Sequence, residues 1–270
     1  MKYGIAIGKE ISPAAPLVLG GDFVESMTYA AGLGFNTVEI HVPDPDMLDA
    51  ERLVSACRDL GMEISTIGTG GMYGGEGLSL IADSEEIITK IMARLHRFVD
   101  KAALLSSPIT IGSIKGNIPK NKERKPYFDR LAANLQIIAD YAASKDVTVL
   151  LEATNRLENN LLNSSRDVLE FIEEYQLPEN VLILVDSFHI NIEEASIENC
   201  LKDTGDRLGY IHFADNTRRY PGAGCFRFNL LAEAIRDYGY DGVLSIECLP
   251  LPDSKTAAEA SIKFFKETFG

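Results

Sequence analysis

The chain has 270 residues, 46% of them hydrophobic, and carries 26 Lys and Arg against 40 Asp and Glu for a net charge of -14. That charge repels nucleic acid and anionic lipid, no apolar run is long enough to cross a bilayer, and no secretory h-region follows Lys2 and Tyr3. Cys57, Cys200, Cys225 and Cys248 form no CxxC pair, which argues against a thiolate zinc site or a disulfide framework and for a reducing, cytoplasmic setting.

Short β-branched runs followed by longer amphipathic stretches recur along the chain. Strands are predicted at residues 3–7, 37–42, 63–69, 109–114, 147–152, 181–186, 209–213 and 243–247. The first helix is capped by Asp22, and others are predicted at 46–60, 84–105, 126–144, 167–175, 197–201, 230–238 and 256–269. Strict βα alternation implies a parallel sheet, and eight units of roughly thirty to thirty-five residues match a closed (β/α)8 TIM barrel better than an open sheet. Gly4-Ile5-Ala6-Ile7-Gly8 has neither dinucleotide nor P-loop spacing. No linker divides the chain, so residues 1–270 are expected to form a single barrel domain.

Ionisable residues fall where the strands stop. Glu152, Asp186, His212 and Glu247 sit at or near the carboxyl ends of the fifth to eighth strands, so adjacent strands aim them at one point. One carboxylate there is as readily a salt-bridge partner as a functional group, but four ligand-type residues on consecutive strands indicate a shared site. Three buried like charges repel, and a divalent cation resolves that repulsion. Three carboxylates with one imidazole form a hard donor set, suited first to Mn²⁺ and then to Mg²⁺ or Co²⁺.

Three neighbours extend the site toward a substrate. His189, three residues past Asp186, is either a donor to a substrate hydroxyl or oxyanion or an ordinary helix-start residue. Arg218, six past His212, offers donors to substrate oxygens or is a solvated loop cation, with Arg219 competing for the same role. Glu158, six past Glu152, can orient the substrate or His189, or pair with Arg156. The connections 68–80 and 116–124 have the length of active-site lids. In the first, Tyr73 occupies the last glycine position of GxGxxG and no helix start is evident, so a mobile lid is expected rather than a phosphate cradle. The run Lys115, Lys120, Lys122, Arg124 and Lys125 reads as a solvated loop, with a role toward a phosphorylated sugar left open. His41 ends the second strand near the same face and His96 lies in a helix; neither enters the predicted site.

At these residues the sequence resembles the ketose 3-epimerases of the D-tagatose and D-allulose type, within the xylose isomerase-like barrel superfamily. Glu152-Ala153-Thr154-Asn155-Arg156-Leu157-Glu158 resembles that family's fifth-strand motif, and Asp186-Ser187-Phe188-His189-Ile190-Asn191-Ile192-Glu193-Glu194 its sixth. His212 with Arg218 and Pro221-Gly222-Ala223-Gly224 is similar to the seventh, and Gly239-Tyr240-Asp241-Gly242 before Glu247 to the eighth. Lys125-Pro126-Tyr127-Phe128-Asp129-Arg130 matches upstream, so the resemblance covers chiefly the carboxyl-terminal half. It implies a Mn²⁺-type site at the four ligands and Glu152 and Glu247 as an acid/base pair. It also implies C3 epimerisation of a ketose or ketose phosphate through an enediolate, and a dimer or tetramer.

The chain departs from the family in having no tryptophan, so Tyr73, Phe188 or an aliphatic wall must supply the apolar contact to the sugar. Glutamates on opposite faces of the enediolate invert a carbon; both transfers on one face make an aldose–ketose isomerase of the hydroxypyruvate isomerase type. Inosose dehydratase and phosphoketose epimerase are further outcomes of the same apparatus, and a non-catalytic sugar-binding barrel is the reading from another class. Retention of all four ligands speaks against that last reading. A nuclease of the endonuclease IV type fits poorly with four histidines and an acidic chain.

Overall fold

In the computed structural model, which describes residues 1–11 and 14–270, eight parallel strands close into a barrel. In chain order the strands are β1 (Lys2–Gly8), a two-residue extension β2 (Leu19–Gly20) paired to the end of β1, β3 (Thr37–His41) and β4 (Glu63–Gly68). They continue with β5 (Ile109–Ile111), β6 (Val149–Glu152), β7 (Val181–Asp186), β8 (Leu208–Phe213) and β9 (Val243–Ile246). Pairing of β1 with β9, from Lys2 opposite Val243 to Ile5 opposite Ile246, closes the ring. The outer layer is α1 (Phe23–Leu33), α2 (Ala50–Leu60), α3 (Gly71–Glu76), α4 (Glu85–Leu105), α5 (Lys125–Ala143), α6 (Ser165–Glu174), α7 (Ser187–Glu193), α8 (Phe228–Tyr238) and α9 (Ser254–Phe269). Side chains of Asp22, Asp49, Ser84, Ser164 and Asp253 cap helix starts by accepting backbone N–H bonds. Among the described residues no helix is long and apolar enough to cross a membrane.

The two-residue period of the strands positions the site. Leu150, Leu184 and Tyr210 pack together with Leu182 and Val243 inside the barrel. The alternate residues Val149, Leu151, Ile183, Val185, Ile211 and Leu244 join the layer between strands and helices. Two residues further along the inward face are Glu152, Asp186 and His212, so the face that fills the barrel also carries the ionisable groups at its carboxyl-terminal end.

Several predicted elements differ. The strand expected at 109–114 ends at Ile111, because Gly112 leaves the extended region and Ser113–Lys115 forms a 3-10 turn. The helix expected at 46–60 is split: Pro45–Met47 is a 3-10 turn, and α2 starts anew from its Asp49 cap. Residues 197–201 form a turn leading into the 3-10 segment Lys202–Arg207, a stretch too short to sustain a helix alone. The helix after β7 is instead α7, whose first N–H groups meet Asp186: the Phe188 N–H donates to its carboxylate at 2.8 Å. A helix also forms inside the glycine-rich segment, contrary to expectation. Tertiary contact overrides its poor propensity, since Glu76 at the end of α3 pairs with Arg94 and with Lys90, the latter at 2.6 Å.

Phe265 on α9 anchors the closure: fully buried, it stacks on Tyr3 of β1 at 5.0 Å and meets Phe213 of β8 edge-on at 5.2 Å. Phe265→Ala is expected to cost about 3–5 kcal/mol of unfolding free energy. Urea denaturation checks this, and a loss under about 1 kcal/mol would show that the ring cluster is not a fastening of the barrel.

Candidate functional site

Glu152 ends β6, Asp186 ends β7, His212 lies one residue before the end of β8, and Glu247 follows β9. All four are buried, and each offers a ligand atom within 4.8 Å of the others'. Room for Glu152 comes from Gly112, where a Cβ would collide with the Glu152 carboxylate. The anions are balanced by Arg218, whose Nη1 donates to Asp186 at 2.5 Å and whose Nη2 donates to Glu247. Its guanidinium lies over the Phe188 ring at 4.7 Å. The 215–226 loop that aims Arg218 inward is pinned by buried Asp215, which accepts the N–H groups of Gly222 at 2.9 Å and Phe226 at 3.0 Å.

The donor set fits a divalent cation. His212 Nε2 donates to Glu39 at 2.8 Å, and its buried Nδ1, 3.6 Å from Glu247 and 3.9 Å from Glu152, has no hydrogen-bond partner. The bond to Glu39 fixes the tautomer that leaves the Nδ1 lone pair facing the three carboxylates, the arrangement in which imidazole binds a metal. Burial opposes the charge of His212, yet Glu39 and Glu247 outweigh it and push its pKa up to about 10. That position therefore demands positive charge. Burial raises the Glu247 pKa, whereas at Glu152 the His189 contact outweighs burial and holds the carboxyl below its usual range.

His189, Arg218 and Glu158 all line one cavity of about 710 Å³ together with Glu152 and Glu247. His189 Nδ1 accepts from Asn155 Nδ2 at 2.7 Å, leaving Nε2 as the donor, 3.5 Å from Glu152. Glu158 accepts from the same Asn155 amide at 3.0 Å, so it reaches His189 through Asn155, while Arg156 pairs with Glu193 instead. Of the two arginines, Arg218 enters the cavity; Arg219 lies over Tyr220. The apolar wall includes Tyr73, Leu17, Pro16, Val42 and Met47, and Phe188 serves beneath Arg218 rather than on the wall.

Four supporting residues lie outside the predicted site, His41 among them although it is expected near the same face. Glu39, at an inward position of β3, is wholly buried and accepts from His212, from His41 at 2.7 Å, from Ser245 at 3.2 Å and from Tyr210 at 3.4 Å. A glutamate alternating with β-branched residues in Thr37-Val38-Glu39-Ile40-His41 was the available signal. Asn155 and His41 are the second and third. The fourth is Lys115, expected in a solvated run but fully buried: its Nζ donates to the Glu152 carbonyl at 2.5 Å and to Thr154 Oγ1 at 3.2 Å. Burial lowers its pKa to about 8. Lys120, Lys122, Arg124 and Lys125 are exposed, as expected.

Glu39→Gln retains volume but loses the charge that orients His212. Metal affinity is expected to fall by about 10–100-fold, measured by Mn²⁺ titration calorimetry, with one ion per chain in both proteins. Unchanged affinity would remove Glu39 from the support of the site.

Residues 27–268 match the xylose isomerase-like TIM barrel family. The chain is 30% identical over 243 residues to an L-ribulose 3-epimerase of Methylomonas sp. (strain DH-1), covering 86% of this chain and 82% of that protein. It is 25% identical over 246 residues to a D-psicose 3-epimerase of Enterocloster bolteae, covering 89% of this chain and 81% of the relative. The fold superposes on a Methylomonas sp. D-allulose 3-epimerase, solved in complex with D-allulose, with a TM-score of 0.84 at 24% identity, over 100% of this chain and 97% of that one. The barrel, its ionisable carboxyl-terminal end and the match over nearly all of the sequence lead to one conclusion: the chain belongs to the xylose isomerase-like TIM barrel family.

Proposed function

We propose that the protein is a divalent-metal-dependent ketose 3-epimerase, with Glu152, Asp186, His212 and Glu247 as metal ligands and Glu152 and Glu247 as the acid/base pair. Its family and relatives make it an enzyme of the sugar isomerase and epimerase class. The observation that carries the finer reading is that Glu152 and Glu247 belong both to the buried ligand group and to the cavity wall. Mn²⁺ is the first assignment for this hard donor set, ahead of Mg²⁺ and Co²⁺. A cytoplasmic dimer or tetramer, with residues 1–270 as one barrel domain, completes the proposal. None of Lys120, Lys122, Arg124 or Lys125 lines the cavity, so that basic run offers no phosphate contact there.

When bound, the ion supplies Lewis acidity to a ketose carbonyl and its neighbouring hydroxyl. The chain's own groups do the rest. Arg218 presents its guanidinium to substrate oxygens, and His189, its Nδ1 held by Asn155, directs Nε2–H at the oxygen that gains charge. Glu152 and Glu247 approach from different strand ends, so one carboxylate takes the C3 proton and the other returns a proton from the opposite face. Lys115 steadies the strand end that carries Glu152.

Metal-loaded protein incubated with a panel of ketoses in D₂O should incorporate deuterium at C3 and yield the C3 epimer, and EDTA should abolish both until Mn²⁺ or Co²⁺ is restored. Glu152→Gln and Glu247→Gln should each lose epimer formation by at least about 10²-fold. Each should nevertheless retain exchange from its remaining face, with opposite preferences for substrate and product. Epimerisation at the wild-type rate in both variants would end the two-base assignment, and an aldose product would replace epimerisation with isomerisation.

A further inference from the structure

His41 is the cavity-lining histidine that the proposed reaction leaves without a task. It ends β3, and its side chain is 17% exposed, on the cavity wall beside Val42, Pro43 and Met47. Its Nε2 bonds to Glu39 Oε1 at 2.7 Å, and Glu39 is a carboxylate already oriented by His212, Tyr210 and Ser245. That bond places a proton on Nε2 and leaves Nδ1 as the ring's uncommitted polar atom, an acceptor in the neutral ring and a donor in the charged one. No described residue hydrogen-bonds to Nδ1. The ring lies against the backbone of Gly68, where a Cβ would collide with Nδ1, Cγ and Cε1. One nitrogen is therefore anchored, the ring plane is set by a glycine beneath it, and the remaining polar atom is unspent on an otherwise apolar stretch of wall. Nε2 also lies 3.9 Å from Glu247 Oε1, which puts the ring next to the group that serves the reacting carbon.

We propose that His41 is a specificity-determining residue: its Nδ1 hydrogen-bonds a substrate hydroxyl close to the carbon that Glu247 serves, so that the site selects a polyhydroxylated ketose over the analogue lacking that hydroxyl. This rests on the sugar epimerase reading and deepens it. Discrimination follows because the analogue leaves a preset polar atom without a partner. Glu39, His41 and Glu247 also bring ligand atoms within 4.8 Å. Glu39 is saturated by its four donors, however, and the group is accounted for as a brace for two imidazoles.

His41→Phe keeps a ring over Gly68 and removes both nitrogens, while His41→Gln restores an acceptor. Calorimetry on Mn²⁺-loaded protein with ribitol, xylitol and D-mannitol is expected to show at least one alditol bound about tenfold more weakly by His41→Phe, the scale of one hydrogen bond, with partial recovery in His41→Gln. Mn²⁺ affinity should stay within about twofold of wild type, because His212 keeps its bond to Glu39. In turnover, the wild type should prefer a ketose over one of its deoxy analogues, and His41→Phe should lose that preference through KM rather than kcat. Alditol affinities equal to wild type, no alditol binding by the wild type, or a parallel loss of Mn²⁺ affinity would each overturn the proposal. Wild-type protein that binds alditols but turns over no ketose would reject the epimerase reading, leaving the calorimetric comparison to decide on His41.

Discussion

Three carboxylates converging inside a barrel cannot persist without positive charge among them, and the local structure around the site follows from that constraint. Taking each anion out of water costs several kcal/mol even after relaxation, roughly the whole margin by which a domain is stable. Arg218 spans Asp186 and Glu247, His212 is driven toward its protonated form, and Lys115 is buried behind Glu152. The same oxygens, with His212 Nδ1, would hold a divalent ion, which would supply the positive charge that Arg218 and the His212 proton otherwise bring. The guanidinium that neutralises the carboxylates also lines the cavity.

The barrel makes this convergence affordable by supplying rigidity. Leu150, Leu184 and Tyr210 fill the interior immediately below the three carboxylates and His212, so the strand ends cannot collapse inward to hide the charge. Gly112 leaves space for one carboxylate and Gly68 for the ring of His41. Glu39 ties β3 across the interior to β8 and β9 through His212, Tyr210 and Ser245, so a single buried anion couples His212 to a strand that β8 does not neighbour.

How much of this was legible in the sequence depended on the range of the interaction. The eight strands could be read from apolar runs, and Glu152, Asp186, His212 and Glu247 from where those runs stop, because both signals are local and repeat with period two. Glu39, Lys115 and Asn155 escaped because their meaning lies in partners 173, 37 and 34 residues away. Lys115 shows the limit well: in sequence it belongs to a basic run, and only the 3-10 turn after Ile111 carries it inward while its neighbours stay in solvent. The misplaced helix at 197–201 and the unexpected α3 have the same origin, since short segments are decided by what they pack against rather than by propensity. The lack of tryptophan leaves the apolar part of the cavity wall to other side chains, and its make-up of Tyr73, Pro16, Leu17 and Met47 needed the fold.

The most direct test of a cation-centred site is a crystal structure of Mn²⁺-soaked protein with anomalous scattering recorded for the metal. The account predicts one anomalous peak per chain, bonded to Glu152, Asp186, His212 Nδ1 and Glu247 at about 2.0–2.2 Å, with Arg218 turned away from at least one of its carboxylate partners. A peak held by Glu39 and His41 instead, or no peak with Arg218 still bridging Asp186 and Glu247, would contradict it.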